Sequence, residues 1–182
     1  MKTIYLVRHC SAEGQAPDAR LTEKGRAQAE QLADFFAGID IEQIISSPFL
    51  RAMQSVEPLA ARKGISIQSD PRLVERVLAE EDLPDWMERL EESFSDMELC
   101  LPGGESSRTA MERVIGIVHE ILSSDISTSL IVTHGCLLTL LLKHFHPDFG
   151  FQDWQHLTNP DVFSLQIDGS QATVKRIWPS VP

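Results

Sequence analysis

Two short apolar segments that lie far apart in the chain each lead directly into a histidine. Residues 4–7 read Ile-Tyr-Leu-Val and precede Arg8 and His9, and residues 130–132 read Leu-Ile-Val and precede the segment that contains His134. Runs this short and this rich in branched side chains predict buried strands. Because parallel strands end at one edge of a sheet, where α/β folds bind ligands, we expect the two histidines to share a site.

Strand and helix patterns alternate along the rest of the chain. The first helical segment carries apolar residues at helical spacing and has Thr22 as a predicted N-cap. The alternation predicts an α/β fold, a three-layer α/β/α sandwich with a mainly parallel sheet. We predict helices over residues 22–37, 48–62, 107–123 and 136–145, further strands over 41–46 and 65–67, and a hairpin of 162–167 with 172–178.

One segment differs from its surroundings in composition. Residues 79–100 contain nine acidic residues and a single basic residue, Arg89, while their apolar residues fall on one helical face. This pattern predicts an amphipathic helix lying over the sheet. We therefore expect a single domain over residues 1–182, with a lid-like helical insertion around residues 76–105.

Composition and charge exclude several classes of protein. Hydrophobic residues make up 42% and charged residues 24% of the chain, as in an ordinary globular domain. The formal net charge of −11 disfavours nucleic acid and anionic membranes as partners. The chain has no apolar stretch of about 18 residues and no signal-peptide pattern, so we expect a cytoplasmic protein. The sequence does not define an oligomeric state.

Cysteine and histidine spacing does not predict a metal site. The three cysteines lack CxxC spacing, and His144 and His146 have no further ligands at suitable distances in the sequence. We therefore expect no metal and no cofactor.

The strand ends collect residues that are suited to phosphate chemistry. Arg8 and Arg51 each offer a planar set of donors for phosphate oxygens, and Arg51 lies one turn into the helix after the second strand. His9 is a side chain that can act as a neutral nucleophile near pH 7. His134 precedes a predicted helix, whose free N–H groups also favour an anion.

Five motifs in chain order resemble those of the histidine phosphatase superfamily, within its phosphoglycerate-mutase-like branch. Together they cover nearly the whole chain. The motifs are Leu6-Val7-Arg8-His9, Leu21-Thr22-Glu23-Lys24-Gly25-Arg26-Ala27-Gln28-Ala29, Ser46-Ser47-Pro48-Phe49-Leu50-Arg51-Ala52-Met53-Gln54-Ser55, Gly103-Gly104-Glu105-Ser106 and Val132-Thr133-His134-Gly135.

The resemblance implies a phosphohistidine intermediate and assigns roles to four residues. His9 corresponds to the nucleophile. Arg8, Arg51 and His134 correspond to the residues that hold the phosphoryl oxygens. Such a cationic pocket stabilises the charge of the transferring group without a metal.

The resemblance also implies a carboxylic acid that protonates the leaving oxygen. Glu75, in the segment after the third strand, matches the family position. The glycine and aromatic pattern that often follows the acid is absent from residues 77–80, so Glu80 and Glu81 remain alternatives.

Three further positions enter the prediction. Gln15 and Thr22 correspond to weaker family contacts with phosphate or substrate. Cys10 stands where the family usually has a glycine, and its position beside the Arg-His pair raises the hypothesis of an oxidation-sensitive thiol.

The function predicted from the sequence is a metal-independent phosphatase that hydrolyses small phosphomonoesters. The alternatives are a phosphoglycerate-mutase-type phosphotransferase and an inactive phospholigand-binding protein of the same fold. The acidic segment suggests a substrate whose non-phosphate part is neutral or cationic, with Glu88 and Glu91 as the carboxylates that repel acidic esters.

Overall fold

The computed structural model describes residues 1–179, so the last three residues of the predicted domain 1–182 lie outside it. The described part contains six strands and six α-helices, together with a 3₁₀ turn at Pro71–Leu73. In chain order the elements are β1 (Lys2–Arg8), α1 (Glu23–Phe35), β2 (Gln43–Ser46), α2 (Leu50–Lys63), β3 (Ile67–Ser69), α3 (Trp86–Ser95), α4 (Ser107–Ser123), β4 (Thr128–Thr133), α5 (Gly135–Phe145), α6 (Phe151–Gln155), β5 (Asp161–Asp168) and β6 (Gln171–Arg176).

The strands form one sheet in the order β3-β2-β4-β1-β5-β6. The first four strands in this order pair in parallel, whereas β5 and β6 add an antiparallel hairpin at one edge. The predicted mainly parallel sheet and the predicted terminal hairpin are therefore confirmed.

Helices cover both faces of the sheet. Side chains alternate along β1, so that Ile4 and Leu6 enter the core beneath α4 and α5, while Val7 enters the core beneath α1 and α2. β4 alternates in the same way. Each strand of the centre is thus buried on two sides, which confirms the three-layer sandwich.

The parallel strands end at the same level, and their hydrogen bonds fix this alignment. The His9 N–H donates to the Thr133 carbonyl at 3.1 Å, and the Ser47 N–H donates to the Val132 carbonyl at 2.9 Å. Arg8 pairs with Thr133 of β4 on one side and with Asp161 of β5 on the other. The residues that follow β1, β2 and β4 are thereby held next to one another.

The predicted long helix over residues 79–100 is wrong in extent. Only α3 is helical, and residues 77–85 run as an irregular wall over the carboxyl ends of the strands. Pro84 disfavours a helical residue before it. The segment also pairs with the loop that precedes α4, because the Glu80 N–H bonds to the Pro102 carbonyl and the Glu105 N–H bonds to the Val77 carbonyl.

The third strand lies two residues later than the predicted 65–67. Gly64 ends α2 in the left-handed conformation, with φ of 66°. The Ile65 N–H then donates back to the Ala60 carbonyl at 3.0 Å, so Ile65 still belongs to the helix cap. α6 and the 3₁₀ turn were not predicted. Among residues 1–179, no helix combines the length and the apolarity that crossing a bilayer requires.

Candidate active site

The His9 side chain is buried at the end of β1, and its two ring nitrogens have different partners. Nδ1 lies 2.7 Å from the Cys10 carbonyl, which can only accept a hydrogen bond, so Nδ1 carries the proton. Nε2 is therefore the unprotonated nitrogen, and its lone pair accepts only a long hydrogen bond, of 3.4 Å, from the Arg51 Nε–H. The imidazole is held in the tautomer in which Nε2 can act as a nucleophile.

Burial and nearby cations keep His9 neutral. The pKa of His9 is lowered to about 4, mainly by burial and further by Arg51 and Arg8, against the opposing hydrogen bond to the Cys10 carbonyl. Repulsion by the arginines is therefore the smaller cause and loss of hydration the larger one. At pH 7 the ring is uncharged.

Arg51 lies in the first turn of α2 with only 1% of its surface exposed. Its Nη1 donates to the carbonyls of Ala16 at 2.8 Å and Gln15 at 3.1 Å. The guanidinium carbon also lies 5.1 Å from the centre of the Phe49 ring, within the range of a cation–π contact. These contacts fix the guanidinium against the His9 ring.

Arg8 packs against the first residue of α5. A Cβ on Gly135 would lie 3.1 Å from both Nε and Nη2 of Arg8, so the absence of a side chain at Gly135 allows this approach. The Arg8 Nε is buried and has no protein partner, and Nη1 makes only a long contact of 3.4 Å to the Leu157 carbonyl. Donor capacity of Arg8 is thus left for another group.

His134 forms the other wall of the site at the N-cap of α5. Its ring centre lies 5.1 Å from that of His9, and its Nε2 is 2.8 Å from the Ser47 hydroxyl oxygen. Burial, reinforced by His9 and the arginines, lowers the pKa of His134 to about 2. Like Arg8, the ring has a buried nitrogen, Nδ1, without a protein partner.

Glu75 is held at the start of α5. Its carboxylate accepts hydrogen bonds from the N–H groups of Cys136 and Leu137, each at 3.0 Å, and of Arg76 at 2.8 Å. Its charge raises the pKa of Arg8, opposing the effect of burial on that guanidinium. The carboxylate therefore lies in the electrostatic environment of the site.

The alternative acids are less well situated. Glu80 packs against Gly103 and does not line the cavity above the site, whereas Glu81 is exposed and lines that cavity. Glu75 also lines this cavity, whose volume is about 760 Å³. Of the three carboxylates, Glu75 is the best placed to reach a group held by the arginines.

The two weaker predicted contacts lie in different surroundings. Gln15 lines the cavity. Thr22 is not among the residues that line it; its hydroxyl accepts from the Gly25 N–H at 2.9 Å and lies 3.4 Å from the Ser11 carbonyl. Thr22 caps α1, as its N-cap position in the sequence predicted.

Cys10 does not have the properties of a reactive thiol. The side chain is fully buried, and burial raises the pKa of the thiol to about 12. Because the thiolate is the reactive form, the oxidation hypothesis is not supported.

The sequence did not indicate that the segment leading into β5 supports the site. The Asn159 side-chain amide donates to the His9 carbonyl at 2.9 Å. The fully buried carboxylate of Asp161 pairs with Arg176 at 2.7 Å and raises the pKa of Arg8. The run Asn-Pro-Asp signals a turn, but nothing in the sequence indicates that this turn reaches β1.

Metal ligands are not grouped within the described chain: residues 1–179 contain no set of three or more His, Cys, Asp or Glu side chains arranged to hold an ion. The site offers instead buried guanidinium groups, neutral imidazoles and one carboxylate. Guanidinium groups are suited to holding an anion, and a carboxylate is suited to proton transfer.

An α/β sandwich with such a site at the ends of its parallel strands defines a class of phosphate-handling proteins. The model for the histidine phosphatase superfamily, branch 1, matches residues 4–178. The chain belongs to this family.

Relatives within the family carry two kinds of name. A Cronobacter sakazakii protein named "Probable phosphoglycerate mutase GpmB" is 32% identical over 162 residues, covering 79% of this chain and 74% of the relative. A Hydrogenobacter thermophilus protein whose name refers to a phosphoserine phosphatase is 28% identical over 199 residues. The match covers 96% of this chain and 94% of the relative. Among solved structures, a mycobacterial glucosyl-3-phosphoglycerate phosphatase has a TM-score of 0.80 at 23% identity, covering 97% of this chain and 98% of the other.

Proposed function

We propose that this protein is a metal-independent phosphatase that hydrolyses small phosphomonoesters through a phosphohistidine on His9. The observation that carries the proposal is the fixed tautomer of His9, whose Nδ1–H bonds to a carbonyl while Nε2 faces the Arg51 guanidinium. A buried, neutral imidazole with an available lone pair is what attack on phosphorus requires.

In the first step, His9 Nε2 attacks phosphorus and the bond to the ester oxygen breaks. The donors of Arg8 and Arg51 stabilise the negative charge on the equatorial oxygens, and His134 supplies a further hydrogen bond. Glu75 is assigned as the general acid that gives a proton to the leaving alcohol.

In the second step, the ionised Glu75 takes a proton from water, and the resulting hydroxide attacks the phosphorus of phospho-His9. The bond between phosphorus and Nε2 breaks, and inorganic phosphate leaves. The free nitrogens of Arg8 and His134, which have no protein partners, support their assignment as ligands of the phosphoryl oxygens.

A phosphoglycerate-mutase-type reaction is the second candidate, because the GpmB relative is similar over most of its length. It requires a phosphoenzyme that water does not hydrolyse before the phosphoryl group is returned to an acceptor. The two reactions share the first step and differ in the acceptor of the second.

The test uses p-nitrophenyl phosphate in the presence of a chelator. We expect turnover by the wild-type protein and a loss of at least about 1,000-fold in His9→Ala. His119→Ala, which alters an exposed ring on α4, is the matched control and is expected to retain activity.

A second experiment uses a ³²P-labelled ester and an alkaline quench to locate the label on the protein. Recovery of the label on a residue other than His9 refutes the proposal. Exchange between two phosphoglycerates that exceeds hydrolysis identifies the mutase.

A further inference from the structure

The cavity above the candidate active site has room for much more than a phosphate. Its volume of about 760 Å³ falls in the range of small-molecule sites. Arg51, which lies next to His9, and Glu75 form its inner end, and residues 77–79 and 81–83 together with Trp86 of α3 form its outer wall. A phosphomonoester whose phosphate lies at the inner end therefore extends its alcohol portion along this wall.

The wall is largely apolar and in part aromatic. Phe49, Leu83 and Trp86 line it, and the Trp86 side chain is 47% exposed although its ring meets Trp154 edge-on at 6.4 Å. A planar or apolar group that covers the face of such an exposed indole removes apolar surface from water, which favours binding.

Besides Glu75 at the inner end, two carboxylates line the outer part of the cavity. Glu81 and Asp82 line it, are exposed, and have neither an ion pair nor a hydrogen bond within the described chain. Glu88 and Glu91, which the sequence suggested for this role, do not line the cavity. The carboxylates that a substrate meets are thus those of the wall rather than those of the helix.

The cations of the cavity are not available at that outer part. The Arg51 Nε–H contacts His9 Nε2 at the inner end of the cavity. Arg76 is 5% exposed, and its Nη1 and Nη2 donate to the Ser93 hydroxyl at 2.8 Å and the Glu105 carbonyl at 3.1 Å. Charge therefore differs along the cavity: Arg51 and Glu75 lie together beside His9, whereas the mouth carries carboxylates without a cation.

We infer that the preferred substrates are phosphomonoesters whose alcohol portion is a planar, apolar body with an amino or quaternary ammonium group at its far end. A carboxylate or a second phosphate at that end meets Glu81 and Asp82 and is disfavoured. This inference rests on the proposed phosphatase function, because the orientation of the substrate follows from phosphate bound beside His9.

The test compares two esters of matched shape, 4-(2-aminoethyl)phenyl phosphate and 4-(2-carboxyethyl)phenyl phosphate. The two methylene groups insulate the phenol from the charge, so the leaving groups are equally good. For two exposed carboxylates we expect kcat/KM, measured as phosphate release at low ionic strength, to favour the amine at least tenfold. The preference shrinks as salt is added.

Two double variants separate local from general charge effects. E81Q/D82N is expected to reduce the preference to less than about threefold. E88Q/E91Q removes the same number of charges from exposed positions on α3 and is expected to retain it. Equal or better use of the carboxylate ester by the wild type, or an unchanged preference in E81Q/D82N, overturns the inference.

Binding to His9→Ala distinguishes this inference from the proposed function. Titration calorimetry with both esters measures the preference without turnover, and the amine ester is expected to bind at least tenfold more tightly. If neither ester is hydrolysed by the wild type but the order of binding holds, the phosphatase proposal fails and the recognition of a cationic group stands. If both are hydrolysed at equal rates and bind equally, only the substrate inference fails.

Discussion

The two site histidines make the stability of this protein sensitive to acid in a way that can be calculated. Their pKa values in the folded protein are lowered from 6.5 to about 4 for His9 and about 2 for His134. In the unfolded chain each ring takes up a proton near pH 6.5. The contribution of the two neutral rings to the free energy of unfolding is therefore complete above pH 6.5. It is lost as the pH falls from there towards the pKa values of the folded state.

The size of this loss down to pH 5 depends little on the folded-state values, since both lie below 5. An unfolded histidine with a pKa of 6.5 binds its proton almost fully at pH 5, whereas the folded ring remains neutral. This difference lowers the free energy of unfolding by about 2 kcal/mol per histidine between pH 7 and pH 5. The two sites together contribute about 4 kcal/mol.

Urea denaturation at pH 7, 6 and 5 measures the effect. His9→Asn and His134→Asn each alter the stability at pH 7, but the quantity of interest is the change between pH 7 and pH 5. We expect each variant to lose about 2 kcal/mol less than the wild type over this interval. His119→Asn is the matched control at an exposed position. Equal losses in the wild type and both site variants would refute the reasoning, because the folded rings would then be binding protons.

Three further substitutions test single features of the structure. In Gly135→Ala the new Cβ displaces the Arg8 guanidinium by a few tenths of an ångström, and we expect kcat/KM for p-nitrophenyl phosphate to fall at least about tenfold while circular dichroism is unchanged. Asp161→Asn removes a buried carboxylate from its pair with the half-exposed Arg176, and a loss of about 2–3 kcal/mol in urea-induced unfolding is expected. Thr22→Ala removes a helix cap and is expected to lower the free energy of unfolding by about 1 kcal/mol without changing kcat/KM; a selective loss of activity would instead assign Thr22 to the substrate site.

The convergence of the site residues could be predicted because it depends on features local to each strand. Short apolar runs mark β1 and β4, and their ends are read directly from the sequence as Arg8-His9 and His134. In a parallel sheet the ends of such strands lie at one edge, so no long-range information is needed to bring them together. The tautomer of His9 could not be predicted in the same way, since it depends on the path of the backbone at Cys10.

The wall of the cavity could not be predicted, because it depends on contacts between segments far apart in the chain. Residues 79–100 carry a helical pattern, but the N–H of Glu80 is used by the Pro102 carbonyl. Gly104 makes this pairing close, since a Cβ there would lie 2.2 Å from the Leu78 carbonyl oxygen. The sequence indicates a glycine pair but not which segment approaches it.

The net charge of −11 and a site for a phosphate group are compatible because the two act in different surroundings. Most of the carboxylates are exposed, and salt at physiological strength screens charges beyond about 8 Å. Arg51 is buried and Arg8 is partly buried, so solvent and salt screen their interaction with an anion much less than that of exposed groups. A phosphoryl group at His9 therefore responds to the two guanidinium groups, whereas the distant part of a substrate, in the open mouth of the cavity, responds to the nearby carboxylates. On the proposed function, the net acidity of the chain therefore leaves phosphate binding intact, and the choice of the alcohol depends on the local pair Glu81 and Asp82 rather than on the net charge.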